Sequence, residues 1–305
     1  MKILVIGATG QVGSELRSAT NSQEFQGGHR PRVIFCDRKD LDLTRLHTIG
    51  EYLNLVAPTI IVNASAFTAV DQAESQSDLA YLVNEAAVRE MARFCRKSRC
   101  CLIHISTDYV FDGWSDRPYV ESDEVCPAGV YGKSKLAGEI AIREILDEHI
   151  ILRTSWVFGT QGSNFVKTML RLARTRSELG VVGDQYGAPT SAKGIAKVIS
   201  NVASTMSAAR SGDKRWGIYH YSGQPFVSWA EFANEIFAQA LGLGLIGNVP
   251  RVNPILTSEY PTSAVRPANS RLDCSKLQSV FGVEPDDWKS SLGLVLDELK
   301  EGIQN

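Results

Sequence analysis

Lys2-Ile3-Leu4-Val5-Ile6-Gly7-Ala8-Thr9-Gly10-Gln11-Val12-Gly13 begins with an apolar run and ends in three glycines spaced three residues apart. The run predicts a buried strand, and the residues after it predict a helix. Glycines at such a junction permit a tight turn and let a pyrophosphate approach the backbone beside the positive end of the helix. We therefore expect Gly7, Gly10, Gln11, Val12 and Gly13 to bind a dinucleotide. The spacing departs from the common Gly-x-Gly-x-x-Gly, so a glycine-rich turn without a ligand stays open.

The first half of the chain alternates short apolar runs with helical segments. Each run is almost continuously apolar, as expected of parallel strands buried on both faces. We predict strands at 2–6, 32–36, 59–63, 100–106 and 150–154, and helices at 11–20, 43–56, 78–97 and 133–147. This order predicts an α/β fold: a doubly wound parallel-sheet Rossmann domain with a smaller C-terminal α/β substrate domain.

The second half is less regular. It predicts helices at 164–176, 192–207, 228–241 and 290–302, and a short strand at 217–221. We assign residues 1–155 to the dinucleotide-binding domain, with returning segments near 187–215, and residues 156–305 mainly to the substrate domain.

Composition excludes several classes of partner. The 305 residues carry a net charge of -2, which offers no electrostatic attraction for nucleic acid or an anionic membrane. The apolar run at the N-terminus is too short for a signal peptide, and no later run reaches membrane length. We expect a soluble cytoplasmic protein. Its six cysteines lack Cys-x-x-Cys spacing, so we interpret them as small buried hydrophobic residues in a reducing compartment.

Two residues after the second predicted strand bear on the choice of cofactor. Asp37 is placed to accept hydrogen bonds from an adenosine ribose, which favours NAD. Arg38 is placed to hold a 2′-phosphate, which favours NADP. The sequence therefore predicts NADPH or NADH without choosing between them.

Two further short segments are candidates for the cofactor site. Asp42 and Leu43 are placed to contact an adenine ring, although Asp42 fits a helix N-cap equally well. Ser65, Ala66 and Phe67 follow the third strand, where Ser65 and Ala66 leave room for a cofactor to lie against the backbone. Packing explains those small residues almost as well.

The candidate catalytic residues follow the fourth strand. Thr107 and Asp108 fall at the carboxyl edge of the sheet, where ligands bind in such folds. Tyr131 and Lys135 are four residues apart, so they share one face of a helix. An ammonium near a phenol lowers its pKa, which would make Tyr131 a proton donor while Thr107 binds a carbonyl. Each of these residues also has a structural explanation. Tyr131 and Lys135 could share a solvated helix face by chance, Thr107 could serve only the strand, and Asp108 could serve only to begin a turn.

Five blocks of sequence carry a resemblance. They are residues 63–71, 106–111, 131–139, 153–157 and 184–190, and they span most of the chain. With the glycine turn they resemble the extended short-chain dehydrogenase/reductases and, among these, the dTDP-4-dehydrorhamnose reductase family.

The resemblance implies reduction of the C4 ketone of dTDP-6-deoxy-L-lyxo-4-hexulose, a step of dTDP-rhamnose and surface polysaccharide (O-antigen) biosynthesis. Tyr131 would protonate the C4 oxygen, and Lys135 would bind the nicotinamide ribose and lower the pKa of Tyr131. The remaining residues implied to contact the dTDP-sugar are Thr107, Asp108, Trp156, Asn164, Arg266 and Asn269.

This chain differs in sequence from related dehydratases and epimerases, and the differences limit the reactions that we expect of it. Sugar-nucleotide dehydratases carry Asp-Glu after the corresponding threonine, whereas Asp108 is followed here by Tyr109, which disfavours elimination. Epimerases share the tyrosine and lysine but lack the Trp156 block. Another dTDP-4-keto-6-deoxysugar reductase stays open, as does a non-catalytic regulatory subunit on the same scaffold.

Some family members hold Mg²⁺ with three glutamates at a dimer contact. Glu15 and Glu298 match two of them, but Lys193 stands at the third place. Because a cation disfavours Mg²⁺ there, the sequence predicts no metal site. A homodimer stays open.

Overall fold

The computed structural model describes residues 1–21, 31–209 and 211–304. Within these ranges the strands are β1 (Lys2–Ile6), β2 (Arg32–Cys36), β3 (Ile60–Asn63), β4 (Cys101–Thr107), β5 (His149–Thr154), β6 (Val157–Phe158), β7 (Glu178–Val182), β8 (Tyr186–Gly187), β9 (Thr190–Ser191), β10 (Gly217–His220), β11 (Val227–Ser228) and β12 (Arg251–Ile255).

The α-helices in the same ranges are α1 (Gln11–Asn21), α2 (Leu46–Val56), α3 (Val70–Ser75), α4 (Ser77–Tyr81), α5 (Ala87–Ser98), α6 (Val130–Ile145), α7 (Phe165–Ala173), α8 (Ala192–Met206), α9 (Trp229–Gly242), α10 (Ser275–Phe281) and α11 (Trp288–Gln304). A π-helical turn, Leu82–Ala86, joins α4 to α5. The predicted helix at 78–97 is therefore one continuous helical segment that contains this turn.

Six strands form one parallel sheet in the order β10-β5-β4-β3-β1-β2. In this order β2 lies on one side of β1, whereas β3, β4, β5 and β10 lie on the other side. The direction in which the chain adds strands therefore reverses between β1 and β3. Ile6 pairs with Asn63, which brings the carboxyl ends of these two strands level. A crevice therefore opens beyond them, where ligands bind in sheets of this kind.

Helices cover both faces of the sheet, and β1 shows why its sequence is uninterruptedly apolar. Ile3 and Val5 point into an apolar layer shared with α1 and α8. Leu4 and Ile6 point into the opposite layer, shared with α2 and α5. Since alternate residues of a strand face opposite sides, both sets must be apolar. The predicted doubly wound fold is confirmed.

A third apolar cluster lies in the C-terminal half, among α7, α9 and α11, around Phe158, Phe232, Phe237 and Trp288. Short pairs of strands, β7 with β12, β8 with β11 and β6 with β9, accompany these helices. Strand β10 pairs with β5 and completes the central sheet from beyond residue 155. The exact division into domains stays a prediction, and residue 210 of the predicted returning segment lies outside the described ranges.

Two expectations about local structure were wrong. Helix α2 begins at Leu46 instead of residue 43, because the Asp42 carboxylate accepts hydrogen bonds from the Thr44 N–H and hydroxyl and holds a turn there. Cys126 is exposed, unlike the buried Cys36, Cys95, Cys100 and Cys274. Within the described ranges, no helix combines the length and apolar composition that a membrane crossing requires.

Close contact between α6 and the π-helical turn requires a glycine at position 138. A Cβ at Gly138 would lie 2.2 Å from the Asn84 carbonyl oxygen, whereas a Cβ at Gly50, inside α2, would meet open space. We expect Gly138→Ala to lower the free energy of unfolding by about 1–3 kcal/mol through overpacking. Gly50→Ala should raise it by about 0.5–1 kcal/mol through helix propensity.

Urea unfolding followed by circular dichroism measures both variants. Equal effects of the two substitutions would contradict the close approach of α6 to the π-helical turn.

Candidate functional site

A cavity of about 700 Å³ opens at the carboxyl ends of β1, β3, β4 and β5. Its lining contains every predicted cofactor residue except Gly13, together with Thr107, Asp108 and Trp156. Gly13 lies just outside, where an added Cβ would be 2.2 Å from the Gly7 carbonyl oxygen, so its role is to let α1 approach the turn.

The glycine turn is shaped by a close approach between two stretches of backbone. Gly7 has a φ of +88°, and an added Cβ would lie 2.8 Å from the backbone of Ala64 and Ser65. Only glycine meets both demands without strain. The turn leads directly into α1, whose first N–H groups lack acceptors within the helix and attract an anion. These features fit the diphosphate of a dinucleotide.

The adenosine end of the cavity is formed by the segment after β2. Asp37 accepts a hydrogen bond of 2.7 Å from the Lys39 N–H, so its carboxylate supports the local turn. The hydrogen bonds that Asp42 accepts from Thr44 hold the pKa of that carboxyl below its usual value. The Arg38 side chain is 81% exposed, 3.9 Å from Asp42. Its guanidinium is accessible to a phosphate.

Tyr131 lies in the first turn of α6 and is 9% exposed, with its ring edge-on to the ring of Tyr109 at a centroid distance of 5.5 Å. Burial raises the pKa of Tyr131, and a hydrogen bond with Thr107 opposes this only in part. The nearby Asp108 carboxyl raises the pKa further. A phenol in this environment keeps its proton at neutral pH.

Lys135 does not interact with Tyr131 as expected. Its Nζ lies 2.7 Å from the Ile105 carbonyl oxygen and 3.0 Å from His104 Nε2, so the side chain is directed toward β4. Burial lowers the pKa of Lys135 to about 8, while the Glu139 carboxylate raises it. Burial of the phenol is the largest influence on the pKa of Tyr131 and raises it, and the expected lowering of that pKa by Lys135 stays a prediction.

Asp108 follows Thr107 in a 3₁₀ turn and is 4% exposed. Burial raises the pKa of Asp108 to about 6, against hydrogen bonds with Ser270 and Thr107. The Thr107 hydroxyl donates to Oδ1 at 3.1 Å. Among the described residues, Oδ2 is buried without a hydrogen-bond partner.

Asn84 was not singled out by the sequence, yet it organises this wall. It lies in the π-helical turn, accepts a hydrogen bond from the Phe67 N–H at 2.8 Å, and donates to Ser134 Oγ at 3.0 Å. Ser134 in turn donates to the Tyr131 carbonyl. Asn84 therefore ties the loop after β3 to the first turn of α6. The π-helical turn orients the Asn84 side chain toward these partners. No residue pattern in the sequence predicts that turn.

Trp156 lines the cavity in a strained backbone conformation, with a φ of 47°. Its indole stacks on Trp229 with ring centroids 3.5 Å apart and planes inclined by 12°. One face of the ring is thus covered by protein. A role in packing against the sugar is left to its other face and its edge, and stays a prediction.

Three predicted sugar-nucleotide contacts do not line this cavity. Asn164 caps α7 and donates to Gln11 Oε1 at 2.9 Å, while Asn269 donates to two carbonyl oxygens of the 115–117 loop. Arg266 is engaged by Asp71 at 2.5 Å and by the Tyr109 hydroxyl at 3.2 Å. Local hydrogen bonding accounts for the positions of all three side chains.

The residues considered for Mg²⁺ do not fit a metal. Glu298 lies 3.8 Å from the Lys193 ammonium, which occupies the place of a third carboxylate. Across residues 1–21, 31–209 and 211–304, no cluster of three or more His, Cys, Asp or Glu side chains has ligand geometry.

Comparison with known proteins agrees with this geometry. The chain matches the RmlD substrate binding domain family over residues 1–301. It is 43% identical over 291 residues to dTDP-4-dehydrorhamnose reductase of Aggregatibacter actinomycetemcomitans, which covers 95% of this chain and 97% of that protein.

Two crystal structures are similar throughout. A dTDP-4-dehydrorhamnose reductase from Clostridium acetobutylicum has a TM-score of 0.88 at 37% identity, covering 98% of this chain and 100% of that one. The enzyme of the same name from Bacillus anthracis, solved in complex with NADP, has a TM-score of 0.85 at 34% identity and covers 97% and 99%.

The raised pKa of Asp108 predicts a pH-dependent stability change. The Asp108 carboxyl has a pKa near 3.8 in the unfolded chain and about 6 in the folded protein. Its ionisation therefore opposes folding increasingly as the pH rises between these two values, and fully above them. Asp108→Asn should therefore stabilise the fold, with a gain that grows by about 1.4 kcal/mol between pH 5 and pH 8.

Denaturant unfolding at the two pH values measures this gain. Asp112→Asn is the control: a hydrogen bond from Tyr119 lowers the pKa of Asp112, so this substitution should destabilise the fold by the same amount at both pH values. A gain for Asp108→Asn that is the same at both pH values would contradict the raised pKa.

Proposed function

The chain belongs to the family of the RmlD substrate binding domain, and from this premise we propose that it reduces the C4 ketone of dTDP-4-dehydro-L-rhamnose to give dTDP-L-rhamnose, with NADPH as cofactor. The product would serve the synthesis of surface polysaccharides such as O-antigen. One observation carries the proposal: the glycine turn, Thr107 and Tyr131 meet in a single cavity of about 700 Å³. Relatives similar over nearly their whole length bear the name of this reductase.

The state of Tyr131 supports the direction of reduction. A residue that protonates an oxygen must hold its proton at neutral pH, and burial keeps the Tyr131 phenol protonated by raising its pKa. Reduced nicotinamide supplies a hydride when bound. In the proposed step, C4 of the sugar gains that hydride and its oxygen gains the phenolic proton of Tyr131, so the ketone becomes a secondary alcohol and a phenolate remains.

Thr107 and Asp108 have supporting roles in this proposal. The hydrogen bond between Thr107 and Tyr131 lowers the pKa of the phenol, which favours release of the proton. Asp108 lines the cavity and orients the Thr107 hydroxyl through its hydrogen bond of 3.1 Å. Both residues line the cavity beside Tyr131, where the sugar would lie.

NADPH is preferred over NADH for two reasons. The Bacillus anthracis relative was solved with NADP. In this chain, the exposed Arg38 guanidinium at the adenosine end provides paired N–H donors for a 2′-phosphate, while Asp37 is partly occupied by the Lys39 N–H. Gly7 and the start of α1 would hold the diphosphate.

The first test replaces the proton donor. With dTDP-4-dehydro-L-rhamnose and NADPH, the wild-type protein should consume the absorbance of the reduced nicotinamide, and Tyr131→Phe should lower kcat by about 10²–10⁴-fold. Circular dichroism and NADPH affinity should be unchanged, because only a hydroxyl is removed. Folded wild-type protein without turnover would exclude the proposed reaction, and a Tyr131→Phe variant at the wild-type rate would assign the proton donor to another group.

The second test concerns cofactor choice. Arg38→Ala should weaken NADPH binding by about 10-fold or more, the value of a charge-assisted hydrogen bond, while leaving NADH binding unchanged. Nicotinamide fluorescence titrations give both dissociation constants, so NADH is the internal control. Equal losses for the two cofactors would show that Arg38 supports the loop and does not contact a phosphate.

A further inference from the structure

The first turn of α6, which carries Tyr131, begins without a capping side chain of its own. Gly129 occupies the N-cap position and has no side chain that could accept a hydrogen bond. The Val130 N–H instead donates to Glu74 Oε1 at 2.9 Å, and Glu74 lies on the separate helix α3. Because the first N–H groups of a helix lack acceptors within it, this carboxylate supplies from outside what an N-cap side chain usually supplies.

The glycine at position 129 is explained by this contact and not by its backbone conformation. Its φ of −104° and ψ of 169° are extended values that any residue adopts. An added Cβ, however, would lie 2.7 Å from Glu74 Oε1. The missing side chain therefore leaves the place that the Glu74 carboxylate occupies.

The helix that carries Glu74 is held in its first turn by Asp71. α3 has six residues, too few to be stable in isolation. Asp71 Oδ1 accepts from the Ala264 N–H at 3.1 Å, and Asp71 Oδ2 accepts from Arg266 at 2.5 Å. These contacts tie α3 to the C-terminal half of the chain and fix the point from which Glu74 reaches α6.

Both carboxylates of α3 lead to Tyr131. Glu74 binds the N–H of the residue directly before it. Arg266, which Asp71 holds, donates to the Tyr109 hydroxyl at 3.2 Å. The Tyr109 ring in turn lies edge-on to that of Tyr131. α3 and Tyr131 also share one small apolar cluster. The position of α3 therefore determines where the Tyr131 ring lies.

We propose that Glu74 is a positioning residue for Tyr131: it caps α6 from α3 and so fixes the place of the phenolic hydroxyl. This inference rests on the proposed function, because it concerns the reaction there assigned to Tyr131. Glu74 is not among the residues that line the cavity, so it acts through the backbone of Val130. Proton transfer requires close placement of donor and acceptor, and a displacement of about 1 Å costs about 10²-fold in rate.

The first measurement is amide hydrogen exchange at Val130, followed by NMR in the protein without ligands. Glu74→Ala should speed this exchange about 10-fold or more, the equivalent of a hydrogen bond to a charged group. Glu74→Gln keeps an oxygen acceptor and should stay within about fivefold of the wild type, because only the attraction between its charge and the helix start is lost. Gln72→Ala, at an exposed position of the same helix, is the matched control and should change nothing.

The second measurement is the reductase assay with dTDP-4-dehydro-L-rhamnose and NADPH. Glu74→Ala should lower kcat by about 10–10²-fold through misplacement of the phenol. The dissociation constant of NADPH should be unchanged, because the glycine turn is not altered. Glu74→Gln should restore kcat to within about fivefold of the wild type. Circular dichroism confirms that the variants compared are equally folded.

Gly129→Ala disturbs the same contact from the opposite side. Its added methyl group displaces the Glu74 carboxylate without removing it. This variant should change the exchange at Val130 and kcat in the same direction as Glu74→Ala. The double variant should lose no more than Glu74→Ala alone, because both substitutions break one contact. Additive losses would contradict the cap, and Gly129→Ala carries the test if Glu74→Ala does not fold.

Faster exchange at Val130 with an unchanged kcat in Glu74→Ala would overturn the positioning role. So would a Glu74→Gln variant as impaired as Glu74→Ala. If the folded wild-type protein shows no turnover, the proposed function fails, and the place of Tyr131 is read instead from carbon-13 NMR of tyrosine-labelled protein. Its ring signals are assigned by their absence in Tyr131→Phe. We expect them to shift in Glu74→Ala and not in Glu74→Gln, and unmoved signals in Glu74→Ala would overturn the proposal.

Discussion

Burial of polar side chains at the carboxyl end of β4 is the constraint on which the site depends. The same loss of water acts on each group according to the charge of its ionised form. It raises the pKa of Tyr131 and Asp108, whose ionised forms are anions, and lowers that of Lys135 and His104, whose ionised forms are cations. Burial thus opposes the ionised form of each of these groups.

The enclosure itself is produced by backbone packing. The Gly7 turn lies against Ala64, and Gly138 lets α6 lie against the π-helical turn at Asn84. These two contacts bring the loop after β3, the end of β4 and the start of α6 around one cavity. A bulkier residue at either glycine would separate elements that must enclose the reacting groups. The chemistry of the reactive side chains therefore depends on Gly7 and Gly138, which have no side chain of their own.

The architecture was predictable because continuous apolar runs and glycine turns are local signals. β1 and β2 were predicted to the residue, and the predicted members of the cavity wall from Gly7 to Asp108 follow from their places after predicted strands. The contacts of Lys135 were not predictable, because a four-residue spacing shows which face two side chains share and not where each one points. Asn164 and Asn269 look like ligand-binding amides in sequence, but nearby carbonyl oxygens and helix N–H groups already engage them. His104 lies inside an apolar strand, where a histidine is itself a sign of a buried partner.

The position of β10 has a consequence for how the chain is made. Residues 217–220 pair with β5, which ends at residue 154, so some sixty residues are translated between the two strands. Until β10 leaves the ribosome, β5 presents an unpaired edge, and Arg153 lacks its register partner His220. A nascent chain that stalls within this interval would expose that edge to other chains. Synthesis across the interval is therefore the period in which the sheet is open to pairing with the wrong neighbour.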